Sequence, residues 1–252
     1  MRPILSIAGL DPSGGAGLAA DARVIRAHGY HPCVVATALT AQGETGLSWW
    51  APVPVDGVLR QVASVLVGSP LAAIKIGMIG AAALVEPLAE ALRPYGRGPV
   101  VLDPVLAASD GPPLFDGGLA ELMPLVQLAD VITPNLAEAS LLTGQPVTTL
   151  PEMRAAARRL RDLGARAALV KGGHLGADPV DVLHDGVQLH EFVEPRVEGG
   201  DARGTGCALS SAIACQLAAG RDLPDAVSAA KRYVAEALRQ AYGLGGRKRY
   251  LP

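Results

Sequence analysis

The sequence is poor in aromatic residues and cysteine, and neither sign of charge dominates it. Phe, Trp and Tyr make up 4% of the 252 residues, Cys occurs 3 times, and the formal net charge is -2. A net charge this small argues against a polyanionic partner such as nucleic acid. The cysteines cannot all pair with one another and form no CxxC motif. The sequence therefore supports neither a disulfide framework nor a cysteine zinc site.

Two further features are missing. No apolar run approaches the roughly 18 residues of a membrane span, and the chain passes from Met1 and Arg2 directly into an apolar stretch. We therefore expect no membrane partner and a cytoplasmic protein. The chain also has no GxxxxGK[ST] motif, so any nucleotide chemistry must use loops other than a P-loop.

What the sequence has in abundance is small and aliphatic residues. Its hydrophobic content is 50% and it contains 30 glycines, which suits close packing of helices on a sheet. Its length lies at the upper end of single-domain size, so we expect one domain over residues 1–252.

Apolar runs of strand length alternate with amphipathic runs of helix length. The predicted strands are 3–9, 33–40, 72–78, 99–102, 130–133 and 167–171, with a hairpin of 180–183 and 189–193 near a sheet edge, and Trp49-Trp50 is assigned to a loop. The predicted helices are 18–28, 55–67, 81–92, 118–128, one opening at Asn135, 150–163, 208–220 and 226–242. This alternation predicts an α/β fold with a mostly parallel central sheet, helices on both faces, and ligands at the carboxyl ends of the strands.

The stretch Gly199 to Cys207 is the strongest candidate for chemistry. Its glycines, among them Gly204 and Gly206, can turn backbone N–H groups toward one point, and the helix that follows adds unpaired N–H groups and the positive end of its dipole. Phosphate fits such a site. The same field predicts a lowered pKa for Cys207, which would make it a base. Glycines before a helix are also common in plain loops, and a cysteine there is often a small buried apolar residue.

Other candidates fall where predicted strands end, namely Asp11, Gln42, Met78, Asp103, Asn135 and Lys171. Asn135 and Glu138 are three residues apart, so they could reach a metal ion or its water, and they equally match an N-cap with its capping-box partner. Lys171 ends an apolar strand, and such a cation requires a partner.

A glycine pattern near the N-terminus suggests a different class. Residues 15–20 match GxGxxA, the signature of a dinucleotide-binding oxidoreductase. That signature needs an acidic residue at the end of the next strand, and here the strand ends in Thr40-Ala41-Gln42. The glycines fit better with a close backbone approach to a small ligand.

Seven stretches together resemble one family. They are IAGLDPSGGAG at 7–17, TALTAQ at 37–42, KIGMIG at 75–80, VLDPV at 101–105, ITPNLAEA at 132–139, LVKGGH at 169–174 and GTGCALSSAIA at 204–214. In this order, and over nearly the whole chain, they are similar to the hydroxymethylpyrimidine/phosphomethylpyrimidine kinases of thiamine biosynthesis, members of the ribokinase-like superfamily. The resemblance implies a ribokinase-like three-layer sandwich and a homodimer.

The resemblance also implies an activity: ATP-dependent, Mg²⁺-assisted phosphorylation of 4-amino-5-hydroxymethyl-2-methylpyrimidine, and then of its monophosphate to the pyrophosphate. It implies the following roles for the residues that match the family's motifs. Cys207 would deprotonate the acceptor, with Gly204 and Gly206 at the phosphoryl group; Gln42, Asp21, Gly9, Met78 and Val105 would bind the aminopyrimidine; Lys171 and Thr205 would bind ATP; Asn135 and Glu138 would order Mg²⁺ through water.

The chain departs from the family pattern at two places. The lid region reads Ala107-Ala108-Ser109-Asp110-Gly111 and lacks the family's lysine, and Arg203 stands where the family usually has histidine. We expect Arg203 either to bind phosphate in the second reaction or to point to solvent. Two alternatives stay open: a pyridoxal kinase of the same fold, against which Gln42 argues because pyridoxal has no exocyclic amine, and a pyrimidine-binding regulator without activity.

Overall fold

The computed structural model describes residues 1–68, 70–95, 98–108, 111–173, 178–197, 202–246 and 248–252. Three motifs have residues outside these ranges. They are the predicted anion-binding loop (Gly199, Gly200 and Asp201), the lid region (Ser109 and Asp110) and the LVKGGH stretch (His174). The remaining residues of these motifs are described.

A large sheet of 9 strands runs through the molecule in the order β3-β2-β1-β4-β5-β6-β7-β8-β9. Its strands are β1 Pro3–Leu10, β2 His31–Gly43, β3 Gly46–Pro52, β4 Ala73–Ile76, β5 Val100–Leu102, β6 Val131–Ile132, β7 Ala168–Gly172, β8 Val180–His184 and β9 Leu189–Val193. In the middle of the sheet, the neighbouring strands β2, β1, β4, β5, β6 and β7 pair in parallel. At one edge β3 pairs antiparallel with β2, and at the other edge β8 and β9 continue the sheet with antiparallel pairs. The mostly parallel sheet and the edge hairpin are confirmed.

The helices cover both faces of this sheet. They are α1 Gly17–Ala27, α2 Val55–Leu66, α3 Val85–Leu92, α4 Leu119–Leu128, α5 Leu136–Thr143, α6 Leu150–Asp162, α7 Thr205–Ala218 and α8 Leu223–Arg239. Side chains alternate along the strands, so Leu5 and Ile7 pack with α2 to α6, whereas Ile4 packs with α1, α7 and α8. The three-layer sandwich predicted from the sequence is confirmed.

One predicted loop is wrong. Trp49 and Trp50 belong to β3, in which Trp50 pairs with Thr40 and Trp49 with Ala41. The strand predicted to end at Thr40 continues to Gly43 and turns back through a short hairpin. Aromatic residues favour the pleated surface of a sheet, and this local preference outweighs the turn residues around them.

Several helix ends differ from the prediction because capping residues determine them. The predicted helix 226–242 begins three residues earlier, at Leu223, because the side chain of Asp222 accepts a hydrogen bond from the N–H of Asp225. The predicted helix 208–220 begins at Thr205, directly after Gly204, whose φ of 75° no β-carbon-bearing residue adopts without strain. Residues 82–84 form a 3₁₀ turn before α3.

A second, small sheet lies beside the start of α7. Its strands are β10 Ala202–Arg203, β11 Tyr242–Gly243 and β12 Arg249–Tyr250, in the order β10-β12-β11. The C-terminal segment therefore pairs with the two residues that lead into the predicted anion-binding helix. None of the helices in the described part of the chain has the length and apolar character needed to cross a bilayer.

Candidate active site

The glycine loop after β1 and the start of α7 lie against each other at the carboxyl edge of the sheet. A β-carbon on Gly204 would lie 2.1 Å from the carbonyl oxygen of Gly15, and one on Gly17 would lie 2.2 Å from that of Gly9. Both glycines also have positive φ. Only glycine allows these two backbone contacts, so the GxGxxA match reflects close packing of the loop against α7 and β1.

Cys207 lies in the first turn of α7, half-buried, with the backbone N–H of Gly17 bonded to its sulfur. Burial raises the pKa of the Cys207 thiol to about 11, although the Lys75 ammonium acts in the opposite direction. The sequence-based expectation of a lowered pKa is therefore wrong. The carboxylates of Asp21 and Asp103 also raise this pKa, and together with lost hydration they outweigh the helix end.

A buried ionic network that the sequence did not predict lies under Cys207. Lys75 is fully buried in the middle of β4 and donates to the Asp21 carboxylate at 2.8 Å. Asp21 also accepts hydrogen bonds from the hydroxyls of Ser6 at 2.6 Å and Ser211 at 2.9 Å. Burial alone would lower the pKa of Lys75, but the charge and hydrogen bond of Asp21, together with the charges of Cys207 and Asp103, outweigh it, so the pKa is raised and the lysine is charged.

Asp21 is the centre of this buried network. Its side chain is completely buried, and its oxygens accept three hydrogen bonds from within the protein. Asp21 therefore joins α1 to β1, β4 and α7. A lysine inside the apolar run Ala73-Ile74-Lys75-Ile76 was the available sequence signal, since such a cation requires a buried partner.

Lys171 forms an ion pair with Asp103, as expected for a lysine at the end of an apolar strand. Its ammonium donates to Asp103 at 2.7 Å, and Asp103 also accepts from the hydroxyls of Thr133 and Ser210. A β-carbon on Gly206 would lie 3.2 Å from the Lys171 ammonium. The first turn of α7 is thus directly beside a cation.

Asn135 and Glu138 form a capping box at the start of α5, which is one of the two arrangements that their spacing allowed. The Asn135 side chain accepts from the N–H of Glu138, and the Glu138 carboxylate accepts from the N–H of Asn135 at 2.8 Å. Burial raises the pKa of Glu138 to about 7; Lys171 lowers it, and the Asp103 carboxylate raises it further. In the described ranges no three His, Cys, Asp or Glu side chains come together in a way that could hold a metal ion.

Met78 and Val105 pack in one apolar cluster with Ala38 and Leu114, and Trp50 of β3 contacts it. A β-carbon on Gly9 would lie 2.7 Å from the sulfur of Met78, so β1 passes directly under this side chain. The structure therefore brings together Gly9, Met78 and Val105.

Gln42 lies near the end of β2, where an open cleft of about 360 Å³ borders it. Its side-chain oxygen accepts a hydrogen bond from Arg203 at 2.7 Å. Arg203 itself neither points to solvent nor has a free guanidinium, since it also donates to Asp11 and to the carbonyl of Gly43. This contact network leads from Gln42 through Arg203 and the glycine loop to Gly204 and the start of α7.

The sequence model of one family, described as phosphomethylpyrimidine kinase, matches residues 11–251. The chain belongs to the phosphomethylpyrimidine kinase family. It is 41% identical over 251 residues to the hydroxymethylpyrimidine/phosphomethylpyrimidine kinase of Mycobacterium leprae, covering 96% of this chain and 90% of that protein. It is 43% identical over 245 residues to the thiamine biosynthesis bifunctional protein ThiED of Geobacter sulfurreducens, again covering 96% of this chain but about half (50%) of that longer protein.

Solved kinase structures share the fold of this family member. The ADP complex of Bacillus subtilis pyridoxal kinase matches with a TM-score of 0.90 and 30% identity, over 100% of this chain and 96% of that one. The phosphomethylpyrimidine kinase of Clostridium difficile matches with a TM-score of 0.81 and 32% identity, over 94% of this chain and 100% of that one. The fold is therefore ribokinase-like, as the sequence predicted, and the family is one of enzymes that transfer phosphoryl groups. A dinucleotide-dependent oxidoreductase is excluded.

Proposed function

We propose that this kinase phosphorylates 4-amino-5-hydroxymethyl-2-methylpyrimidine with ATP and then converts the monophosphate to the pyrophosphate, as a step in thiamine biosynthesis. The observation that carries the proposal is the joining of Gln42 to the Cys207 helix through Arg203, Gly15 and Gly204. An aminopyrimidine-binding amide and a helix N-terminus suited to phosphate then belong to one site.

Cys207 takes the proton from the attacking hydroxyl in this proposal. A thiol with a pKa of about 11 is mostly protonated near neutral pH, and its thiolate is a strong base once formed. Cys207 must therefore first release its own proton to solvent, and the thiolate then takes the proton of the hydroxyl as its oxygen attacks the γ-phosphoryl group. Lys75 below the site and the N–H of Gly17 stabilise the thiolate before it takes this proton.

The transferring phosphoryl group lies at the N-terminus of α7. The backbone of Gly204, Thr205 and Gly206 supplies N–H groups there, and the Lys171 ammonium beside Gly206 supplies a full positive charge. Lys171 would exchange part of its contact with Asp103 for ATP phosphate oxygens, and Thr205 would line the ATP phosphates.

The acidic groups beside Lys171 fit a magnesium ion held largely through water. Asp103 and Glu138 are two carboxyl groups facing one lysine, and their mutual repulsion contributes to the raised pKa of Glu138. A divalent cation would relieve this repulsion, and oxygen ligands with retained water are what Mg²⁺ prefers. When bound, Mg²⁺ would neutralise charge on the ATP phosphates. Asn135 and Glu138 would orient its waters.

The ring would lie against Met78 and Val105, with its amino edge toward Gln42 and the backbone of Gly9. The Gln42 amide can accept from the exocyclic amine and donate to a ring nitrogen. Asp21 acts from below, through Lys75 and Ser211.

Pyridoxal phosphorylation is the second candidate, because the structural neighbours include pyridoxal kinases at 28–30% identity. ADP release measured with hydroxymethylpyrimidine, its monophosphate and pyridoxal tests both candidates. We expect the highest kcat/KM for the aminopyrimidine. A higher value for pyridoxal would overturn the assignment and make Gln42 irrelevant to specificity.

We further propose that residues 1–252 form a single kinase domain, since α7 and α8 pack on the sheet that begins at β1. A homodimer with an aminopyrimidine-binding site in each copy is likewise a proposal, supported by the apolar side chains exposed on β2 and β3. The cytoplasmic location stays a prediction.

A further inference from the structure

Arg203 occupies a position between the two halves of the site. It lies in β10, immediately before Gly204 and α7, and its side chain is only 14% exposed. One guanidinium nitrogen, Nη1, donates to the carbonyl of Gly43 at 3.0 Å. The other, Nη2, donates to Oδ2 of Asp11 at 3.0 Å and to Oε1 of Gln42 at 2.7 Å.

A guanidinium carries donors only, and this fact decides how the Gln42 amide is turned. An isolated glutamine amide can present either its oxygen or its NH₂ group to a neighbour. Beside Arg203 only the oxygen is acceptable, because the NH₂ group would meet another donor. The NH₂ group of Gln42 and the second lone pair of Oε1 then stay available to a ligand.

We propose that Arg203 is a positioning residue that fixes the orientation of the Gln42 amide and thereby determines recognition of the acceptor ring. The inference rests on the proposed function, in which Gln42 binds the aminopyrimidine. An amide free to turn would offer the correct donor and acceptor only part of the time, so affinity for the ring falls when Arg203 is absent.

The surroundings of Arg203 hold it in this role and oppose the phosphate-binding role considered from the sequence. Asp11 is almost fully buried and accepts hydrogen bonds from Ser13 and from the N–H of Ala16, so its carboxylate is itself held in place. A phosphate at Arg203 would meet this carboxylate. A β-carbon on Gly15 would lie 2.8 Å from Nε of Arg203, so the loop presses on the guanidinium from another side.

Steady-state kinetics of Arg203→Ala tests the inference. We expect KM for the aminopyrimidine to rise about tenfold, because the released Gln42 side chain spreads over several rotamers as well as both amide orientations and presents the productive one about a tenth of the time. KM for ATP should stay within about twofold of the wild type. In a Gln42→Met background the same substitution should change KM little, because no amide is left to orient. Equal effects of Arg203→Ala with and without Gln42 would overturn the proposal.

Two further variants separate positioning from simple damage. Arg203→Lys keeps a donor beside Gln42 and should recover part of the lost affinity, even if Arg203→Ala lowers the thermal stability. Arg166→Ala serves as the matched control, since Arg166 pairs with Asp130 on the surface where β6 and β7 begin. This control should leave both KM values unchanged.

A measurement without any acceptor distinguishes the inference from the proposed function. The ¹⁵N order parameter of the Gln42 side-chain amide should be high in the wild type and fall in Arg203→Ala. An unchanged order parameter would overturn the positioning role. If the wild type turned over no aminopyrimidine while the order parameter still fell, the proposed substrate would be wrong and the orienting role of Arg203 would stand.

Discussion

At the level of single residues, Cys207 shows how burial can override a helix terminus. The start of α7 favours negative charge, as does the Lys75 ammonium. The thiol is nevertheless removed from water and shares its surroundings with Asp21 and Asp103, so its pKa is raised to about 11. The sequence revealed the helix end and offered both aspartates as candidates, but it did not show that their charges act on Cys207, because they come from distant parts of the chain.

This pKa gives a testable pH dependence. If the thiolate is the base, the rate of phosphoryl transfer should rise about tenfold per pH unit from pH 7 to 9, because the deprotonated fraction rises tenfold per unit below the pKa. Cys207→Asp should flatten this profile, since a carboxylate is already ionised there. Single-turnover rates across the pH range provide the measurement. A flat wild-type profile would contradict the assignment.

Removing the thiol is the complementary experiment. Cys207→Ala should lower kcat by roughly 10²- to 10⁴-fold, the usual contribution of a positioned general base, while substrate affinities stay nearly constant. Calorimetric titrations of ATP and the pyrimidine supply the control for binding. An alanine variant with near-wild-type turnover would exclude Cys207 from proton transfer.

Lys75 supports the site from below. Lys75→Met should lower the free energy of unfolding by about 3–5 kcal/mol, because it leaves the buried Asp21 carboxylate without its cation. Adding Asp21→Asn should restore much of the loss, since a neutral amide can accept from one of the Ser6 and Ser211 hydroxyls through its oxygen and donate to the other through its NH₂ group. Denaturant unfolding measures both. As a control, Arg60→Met removes a pair with Asp56 that is largely exposed, and stability should hardly change.

At the level of secondary structure, the sequence predicted the elements that have a clear period and missed those that depend on distant pairing. Strands such as β5 and β7 and helices such as α6 were placed to within one residue by their apolar spacing. The two-residue strands β10 and β12 have no period to detect. They exist because the C-terminal segment reaches the loop before α7, a contact between residues 202–203 and 249–250.

This small sheet also holds the hairpin that follows Gln42. Tyr250 donates its hydroxyl to the Glu44 carboxylate at 3.0 Å, and the N–H of Lys248 donates to the same carboxylate at 2.9 Å. Tyr250→Phe should therefore speed amide hydrogen exchange in residues 42–46 by about threefold to tenfold, the effect of one hydrogen bond. Tyr242→Phe, on an exposed residue of the same sheet, is the matched control. Equal exchange in the two variants would contradict this role.

At the level of the whole molecule, the sheet has a covered middle and an edge that exposes apolar side chains. Leu39 and Trp49 are 46% and 55% exposed, and both lie on one face of the β2–β3 pair, since Trp49 pairs with Ala41, two residues beyond Leu39. Exposed apolar side chains grouped at a sheet edge are typical of an interface. The sequence could not reveal this group, because Trp49 was assigned to a loop.

The family resemblance implies a dimer, and we expect this face to join the two copies of the chain. Sedimentation of the wild type should give the mass of a dimer, and Leu39→Lys combined with Trp49→Lys should give the 25.8 kDa monomer, because two charges would be buried without partners. Val187→Lys, at an equally apolar but isolated site that is 89% exposed, should leave the dimer intact. A monomeric wild type would refute the dimer, and a dimer that survives both lysines would place the interface elsewhere.

Because β2 ends in Gln42 and Gly43, a dimer formed here would also stabilise the strand that carries the ring-binding amide. The monomeric variant should therefore show a higher KM for the aminopyrimidine with little change in KM for ATP.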